Sequence, residues 1–202
     1  VLGRPWFGGL GGMRIEKYVE RWLKKLNLER ADLLFQDVRK PLAPQLLDRV
    51  QRLRENGKVR LLGISSHDRP LLGKVSGGEV AVPVDFFHAR YNAVHTGAEQ
   101  EIFPRLQQDR RPGTVIFTAT CWRKLLKANH MPAGEPPLTA ADCYRFVLSH
   151  PGADVCLTGP STAQQMEDNL KVLQAGPLGD EEMARIRRIG DHIYGKPRVK
   201  KE

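Results

Sequence analysis

Residues 156 to 170, CLTGPSTAQQMEDNL, are the stretch of this chain best suited to chemistry with an anion. An apolar run ends at Thr158, a Gly-Pro-Ser-Thr turn follows, and a helix-forming segment begins. Ser161 and Thr162 are each suited to cap that helix, with Gln164 and Gln165 three residues on as capping-box partners. The first backbone N–H groups of a helix lack intrahelical acceptors and carry the positive end of its dipole. Gly159 lets a ligand approach the backbone closely, so a phosphate fits the turn. An ordinary capped helix after a buried strand has the same pattern, and the turn taken alone leaves both readings open. Met166, Leu170 and Leu173 recur at i, i+4 and i+7, which gives the predicted helix over 162–174 one apolar face.

Composition narrows the setting. With 202 residues, 41% of them hydrophobic, the chain can build one sizeable core or part of a larger domain. No apolar run approaches the ~20 residues of a membrane span, and the start lacks the apolar core of a signal peptide. The opening VLGRPWFGGLGGMR has no initiator Met and reads like the middle of a protein. Cys121, Cys143 and Cys156 are widely spaced with no CxxC pair, so neither a zinc site nor a disulfide framework is expected. That usage fits a reducing, cytoplasmic setting. The formal net charge of +9 raises a polyanion as partner. The basic residues are spread along helices, apart from the tail KPRVKK, and no aromatic platform is interleaved with them. Nucleic acid is therefore not expected, nor is a membrane.

The elements that must position the turn alternate along the chain. Residues 14–27 form an amphipathic helix with Ile15, Val19, Trp22, Leu23 and Leu26 on one side. ADLLFQ (31–36) reads as a buried strand, 45–56 as a helix stopped by Gly57, and VRLLGIS (59–65) as a second strand. A weaker helix at 69–76, a strand at 84–90, a helix at 98–108 and a strand at 114–120 follow. The proline-rich 127–137 is a loop and a candidate cover, and Thr139 with Asp142 opens a capped helix. DVCLT (154–158) is the fifth strand, and 180–194 is a final helix turning Met183, Ile186, Ile189 and Ile193 inward.

Strictly alternating helices and uniformly apolar strands mean parallel strands covered by helices. GGLGG (8–12) lacks a preceding apolar strand, so the dinucleotide fingerprint of an open doubly wound sheet is weak. In a closed (β/α)8 barrel, phosphate often binds near the last two strands, which is where the 159–165 turn falls. The expected fold is a partial (β/α)8 TIM barrel of about five parallel βα units plus a C-terminal helix. It would be a single domain over 1–202, with 1–13 irregular and 196–202 a basic tail.

Four ordered segments carry a resemblance. GKVRLLGISSHD (57–68) resembles the GKVRxxGxSN strand and turn of the aldo/keto reductase family, and VDFFHARYN (84–92) its xDxxQxxYN strand. TGPSTAQQMEDNL (158–170) is similar to its closing PGxxxxEQxxEN turn and helix, and ADLLFQD (31–37) to its fourth strand, xDLLxxH. The likeness runs from about residue 14 to 195. It implies metal-free reduction of a carbonyl to an alcohol by NADPH or NADH, with a small carbonyl substrate. The nicotinamide end would be held after the fifth and sixth strands, and the adenosine phosphate end at the eighth.

Carried over by position, Ser65 and Ser66 face the carboxamide, Ser66 replacing an Asn with a shorter hydroxyl. His88 stands where the family has Gln, and Thr118 where many members have a Tyr that stacks on the nicotinamide. Gly159, Ser161 and Thr162 offer donors at the adenosine end, with Asp168 and Asn169 matching the adenine-facing pair. Gln165 replaces an Arg common in NADPH-preferring members, so exclusive NADPH preference is not expected.

The family's chemistry also needs a Tyr acid, a Lys and an Asp that tune it, and a His near the carbonyl oxygen. Asp37 sits at the His position, and a carboxylate cannot act there as a neutral donor unless it is protonated. None of Tyr18, Tyr91, Tyr144 or Tyr194 falls where the acid belongs. Five strands against the eight of a closed barrel point the same way, and the resemblance implies that the catalytic segment is expected upstream of this chain. The chain is expected to be inactive alone, as a fragment or a degenerate relative, with strand edges at 31–36 and 154–158 open to self-association. A non-catalytic dinucleotide- or partner-binding module is the alternative.

Overall fold

A computed structural model describes residues 2–4, 15–37, 44–80, 84–106 and 111–195. The chain divides into two compact units, residues 1–89 with 101–113, and residues 90–100 with 114–202.

The first unit is a run of parallel βα crossovers. β1 (Leu2–Arg4) pairs with β2 (Ala31–Asp37), and β2 pairs with β3 (Val59–Ser65) from Ala31 opposite Val59 to Asp37 opposite Ser65. β3 in turn pairs with β4 (Phe86–Arg90), placing Ser65 opposite His88. The expectation of an irregular start is corrected at Leu2–Arg4, which occupies the edge of β2 that the sequence reading left open. α1 (Ile15–Leu26) buries Ile15, Val19 and Leu23, one residue per turn, against Ala31 and Leu34 of β2 and Leu62 of β3. Val50 and Leu53 of α2 (Pro44–Glu55) complete this cluster. Each such side chain contributes about 1.5–3 kcal/mol on burial, so the 3.6-residue pattern is what docks both helices. Gly63 is fixed by space: a Cβ there would lie 2.2 Å from the Phe86 ring of the neighbouring strand. Beside it, the Asp85 carboxylate accepts the Leu62 N–H at 2.8 Å and pairs with Arg54 at 3.2 Å.

In the same unit, α3 (Arg69–Ser76) opens on Asp68, whose carboxylate accepts the Leu71 N–H at 3.0 Å. Leu71, Leu72 and Val75 of this helix are buried.

The second unit joins β5 (Gly113–Phe117) to β6 (Val155–Cys156) in parallel. The buried Thr114 links them, donating its hydroxyl to Gly152 O while its N–H is accepted by Asp154 at 2.7 Å. α5 (Ala140–Leu148) carries the expected Thr139–Asp142 capping box. α8 (Asp180–Gly195) buries Ile186, Ile189 and Ile193, while Met183 is half-buried. Gly190 lets α8 approach the chain at Ala93, whose carbonyl oxygen would lie 2.0 Å from any Cβ there.

Several boundaries differ from expectation. The helix predicted over 98–108 is α4 (Ala98–Glu101) followed by a 3-10 turn at Phe103–Arg105, because Pro104 cannot donate an N–H to continue it. The strand predicted over 114–120 stops at Phe117, since Thr118 turns into the left-handed region at φ 58°. The fifth predicted strand shortens to two residues. The helix predicted over 162–174 is broken into α6 (Ala163–Leu170) and α7 (Val172–Ala175).

Candidate nucleotide site

Thr162, not Ser161, caps α6: its hydroxyl accepts the Gln165 N–H at 3.2 Å, and its backbone is extended. Gln165 closes the box from the other side, its side-chain oxygen accepting the Ser161 N–H at 2.7 Å. One of the donors assigned to a phosphate is thus held by the chain's own amide side chain, and a ligand at Ser161 must displace it. Gly159 has nothing within 4 Å of where a Cβ would stand, so the backbone there is open to approach. Asp168 binds Lys171 at 2.7 Å and Gln164 at 3.3 Å, and the Lys171 hydrogen bond holds its carboxyl below the ordinary aspartate value. Asn169 donates to Thr158 at 2.7 Å, and Thr158 donates to Tyr144 at 2.9 Å. Gly159, Ser161, Thr162, Gln165, Asp168 and the half-buried Asn169 therefore form one local group around the β6–α6 turn, the first five of them exposed.

The apolar face of this helix does not reach a core. Met166 is 42% exposed, Leu170 53% and Leu173 73%, and α6 buries no residue at all. The i, i+4, i+7 spacing is real, but only Val172 in the following helix is buried.

In the first unit, Ser65 is the last residue of β3 and lies opposite His88, while the buried Ser66 follows and accepts the Asp68 N–H at 3.0 Å. Ser66 is thereby part of the turn that sets the α3 cap. Burial pulls the His88 imidazole below its ordinary value, which favours the neutral ring that can accept as well as donate. Asp37 ends β2 opposite Ser65. In the second unit, Thr118 follows β5, donates its hydroxyl to Phe117 O at 2.7 Å, and accepts Asn92 Nδ2 at 2.8 Å through its carbonyl.

Tyr91 is fully buried and donates to Glu99 at 2.6 Å, with Arg187 bound to the same carboxylate at 2.8 Å. Burial first, then the Glu99 carboxylate, push its phenol well above its ordinary value, so it is a poor proton donor. The thiols are no better placed as nucleophiles. Burial raises Cys121 and Cys143, and pushes the half-buried Cys156 up to about 12. Among the described residues no group of three or more His, Cys, Asp or Glu could hold a metal, and no helix is long and apolar enough to cross a membrane.

Another group was passed over in the sequence. The Arg90 guanidinium, at the end of β4, lies 5.9 Å from the Trp122 ring, and the His95 ring meets that indole edge-on at 5.7 Å. Asn92 Oδ1 accepts the Val94 and His95 N–H groups, each at 3.0 Å, and faces His95 Nδ1 at 3.1 Å. Trp122 is 55% exposed and stands between Cys121 and Arg123, all three in the left-handed region at φ 49–67°. Arg90 and Trp122 lie 32 positions apart, so no spacing rule links them. The signal available was Arg90 and His95 around the quoted YN motif and, well downstream, a Trp in a basic, acid-free stretch.

Parallel strands joined by helices, with candidate groups at their C-terminal ends, define a parallel α/β protein. A family model described as the aldo/keto reductase family matches residues 4–119 and 124–191, and the chain belongs to that family. It is 23% identical over 222 residues to the aldo-keto reductase YhdN of Bacillus subtilis (strain 168), covering 91% of this chain and 65% of that protein. The chain thus spans just under two thirds of that relative's length. Aldo-keto reductase AKR11C1 from Bacillus halodurans is similar in structure with a TM-score of 0.70 and 18% identity. Its holo form is matched over 87% of this chain and 66% of its own, and its apo form over 87% and 67%. The fold is accordingly part of a (β/α)8 barrel, as the alternating pattern predicted.

Proposed function

We propose that the chain supplies the cofactor-facing portion of an NAD(P)-dependent oxidoreductase that reduces a carbonyl to an alcohol in the cytoplasm. The supporting observation is positional. Ser65 and Ser66, Thr118, and the Gly159–Thr162 turn each sit at or just after the C-terminal end of a parallel strand, where barrels bind their ligands. By the resemblance, Ser65, Ser66 and His88 in the first unit and Thr118 in the second each stand at a position that the family gives to the nicotinamide end. Gly159, Ser161, Thr162, Gln165, Asp168 and Asn169 would serve the adenosine end. Gln165 is neutral and already engaged with Ser161, so a 2′-phosphate gains no cation there, and NADH and NADPH should bind comparably.

On this reading the chain alone is inactive, because neither candidate donor considered among the described residues is suited to the reaction. Tyr91 is committed to Glu99, and Asp37 stands where an imidazole would be needed. The unsuited acid favours a second reading, a non-catalytic dinucleotide- or partner-binding module. Ser161, Asp168 and Asn169 already bond Gln165, Lys171 and Thr158, so a dinucleotide must exchange those bonds, and weak binding is expected on either reading. Thermal unfolding with 1 mM NADPH or NADH, run beside an assay of NADPH absorbance with aldehydes, separates these. A raised melting temperature without turnover is expected. Turnover by the chain alone would contradict its inactivity, and no thermal shift with either nucleotide would contradict cofactor binding.

A further inference from the structure

We infer that the outward face of α1, with the groove at its C-terminal end, docks an acidic segment of a partner protein that carries one apolar side chain. α1 turns Ile15, Val19 and Leu23 into the core, and the opposite side of the helix carries Lys17, Arg21 and Lys24 at i, i+4 and i+7. All three are exposed, and none makes an ion pair or a side-chain hydrogen bond among the described residues. A rise of 1.5 Å per residue spreads their charges over about 10 Å. Glu20 is exposed beside them and pairs with none, while Lys25 lies over the Trp22 ring at 4.8 Å.

The stripe leads into an open groove of about 660 Å³ between the α1–β2 and α2–β3 turns. Both turns are built alike. Asn27 and Gly57 take the left-handed conformation at φ 51° and 65°, and the next N–H reaches back along the helix, Leu28 to Leu23 O and Lys58 to Leu53 O, each at 2.9 Å. The Ala31 N–H, bonded to Lys58 O at 2.9 Å, holds the two turns side by side. Their equivalent positions differ in chemistry. Leu28, 52% exposed, gives the groove an apolar wall, and Lys58 gives it a cation with no ion pair among the described residues. Of the groove's two carboxylates, Asp32 is met by Arg30 at 3.8 Å and Arg60 at 3.6 Å, and Glu29 is exposed.

Charge and shape together choose the partner. A nucleic acid would bring a continuous row of phosphates against Glu20 and Glu29, and Tyr18 and Trp22 of this helix are half-buried rather than open to bases. An anionic bilayer needs an apolar helix face to insert, and that face of α1 is already in the core. A polypeptide can set carboxylates on Lys17, Arg21, Lys24 and Lys58 singly, leave Glu20 and Glu29 unopposed, and lay one apolar side chain on Leu28. The surface lies at the N-terminal ends of β2 and β3. Val59 begins β3 and Ser65 ends it, about 20 Å apart at 3.3 Å per residue, so the proposal does not rest on the oxidoreductase reading.

Fluorescence polarisation of the full chain with labelled peptides tests this. The probe is a helix-forming peptide with Glu at i, i+4 and i+7 and one Leu in the next turn, beside a version with Ser for that Leu and another with Lys for each Glu. The first should bind saturably, the Ser peptide about threefold weaker or more, and the Lys peptide not at all. Combining Lys17→Glu, Arg21→Glu and Lys24→Glu should weaken the first peptide by about tenfold or more, and Leu28→Ser alone by about threefold, each with a native circular dichroism spectrum. Combining Lys124→Glu, Lys127→Glu and Arg188→Glu changes the net charge equally in the second unit, on exposed side chains, and should leave binding within about twofold. An equal loss in that control would reduce the effect to net charge and overturn the proposal. So would no binding of the first peptide, unchanged binding in the Lys17, Arg21 and Lys24 variant, or tighter binding of phosphatidylserine vesicles or a short RNA duplex than of the peptide.

Discussion

The β3–α3 and β6–α6 crossovers begin alike and end differently. Each helix is capped by a side-chain oxygen that accepts an N–H three residues on, Asp68 from Leu71 and Thr162 from Gln165. α3 then buries Leu71, Leu72 and Val75, whereas α6 leaves Met166 and Leu170 exposed and is tied down by Asn169–Thr158 and Thr158–Tyr144. Capping is local physics and reads directly from sequence. Whether an apolar face is covered depends on what stands opposite it. The difference teaches that α3 serves the core, while α6 presents a turn.

The largest effect should come from breaking the packed side. Leu72→Ala removes a fully buried side chain and should cost about 2–5 kcal/mol in urea unfolding. In the second unit, α8 is docked through Arg187 to Glu99, the carboxylate that also accepts the Tyr91 hydroxyl. Glu99→Gln should cost about 1–3 kcal/mol at pH 7. Its pH dependence has a definite sign. Burial alone would raise the Glu99 carboxyl, but Arg187 and then Tyr91 hold it below its ordinary 4.5. A carboxylate lowered in the folded state stabilises above its unfolded value, and that contribution fades as pH falls through the folded one. The gap between wild type and Glu99→Gln should therefore be full above pH 5 and narrow below 4.5, in urea midpoints measured across pH.

Smaller effects sharpen the contrast. Thr162→Ala should cost about 1 kcal/mol, read as lost helicity and a lower urea midpoint, since it removes one cap without opening a cavity. Leu170→Ala should change stability by less than about 0.5 kcal/mol, because its side chain is already 53% exposed. A loss as large as that of Leu72→Ala would show α6 to be covered in solution.

Much of this was legible in the sequence. The helix stripe Ile15–Val19–Leu23, the apolar strands, the Thr139–Asp142 capping box and the β6–α6 turn followed from periodicity and capping chemistry. The exposure of α6 was not legible, since periodicity says which residues share a face and not what meets them. Nor were the left-handed residues Cys121–Arg123, because side chains that ordinarily avoid that region give no warning when tertiary packing enforces it. Arg90, His95 and Trp122 met only through the fold, by way of Asn92.

Nicotinamide fluorescence during titration of the chain with NADPH and NADH tests directly whether the β6–α6 turn and the strand ends hold a dinucleotide. Saturable enhancement by both, with dissociation constants within about tenfold of each other and both weakened by Gly159→Asp, is the predicted result. Flat traces with both nucleotides would contradict it.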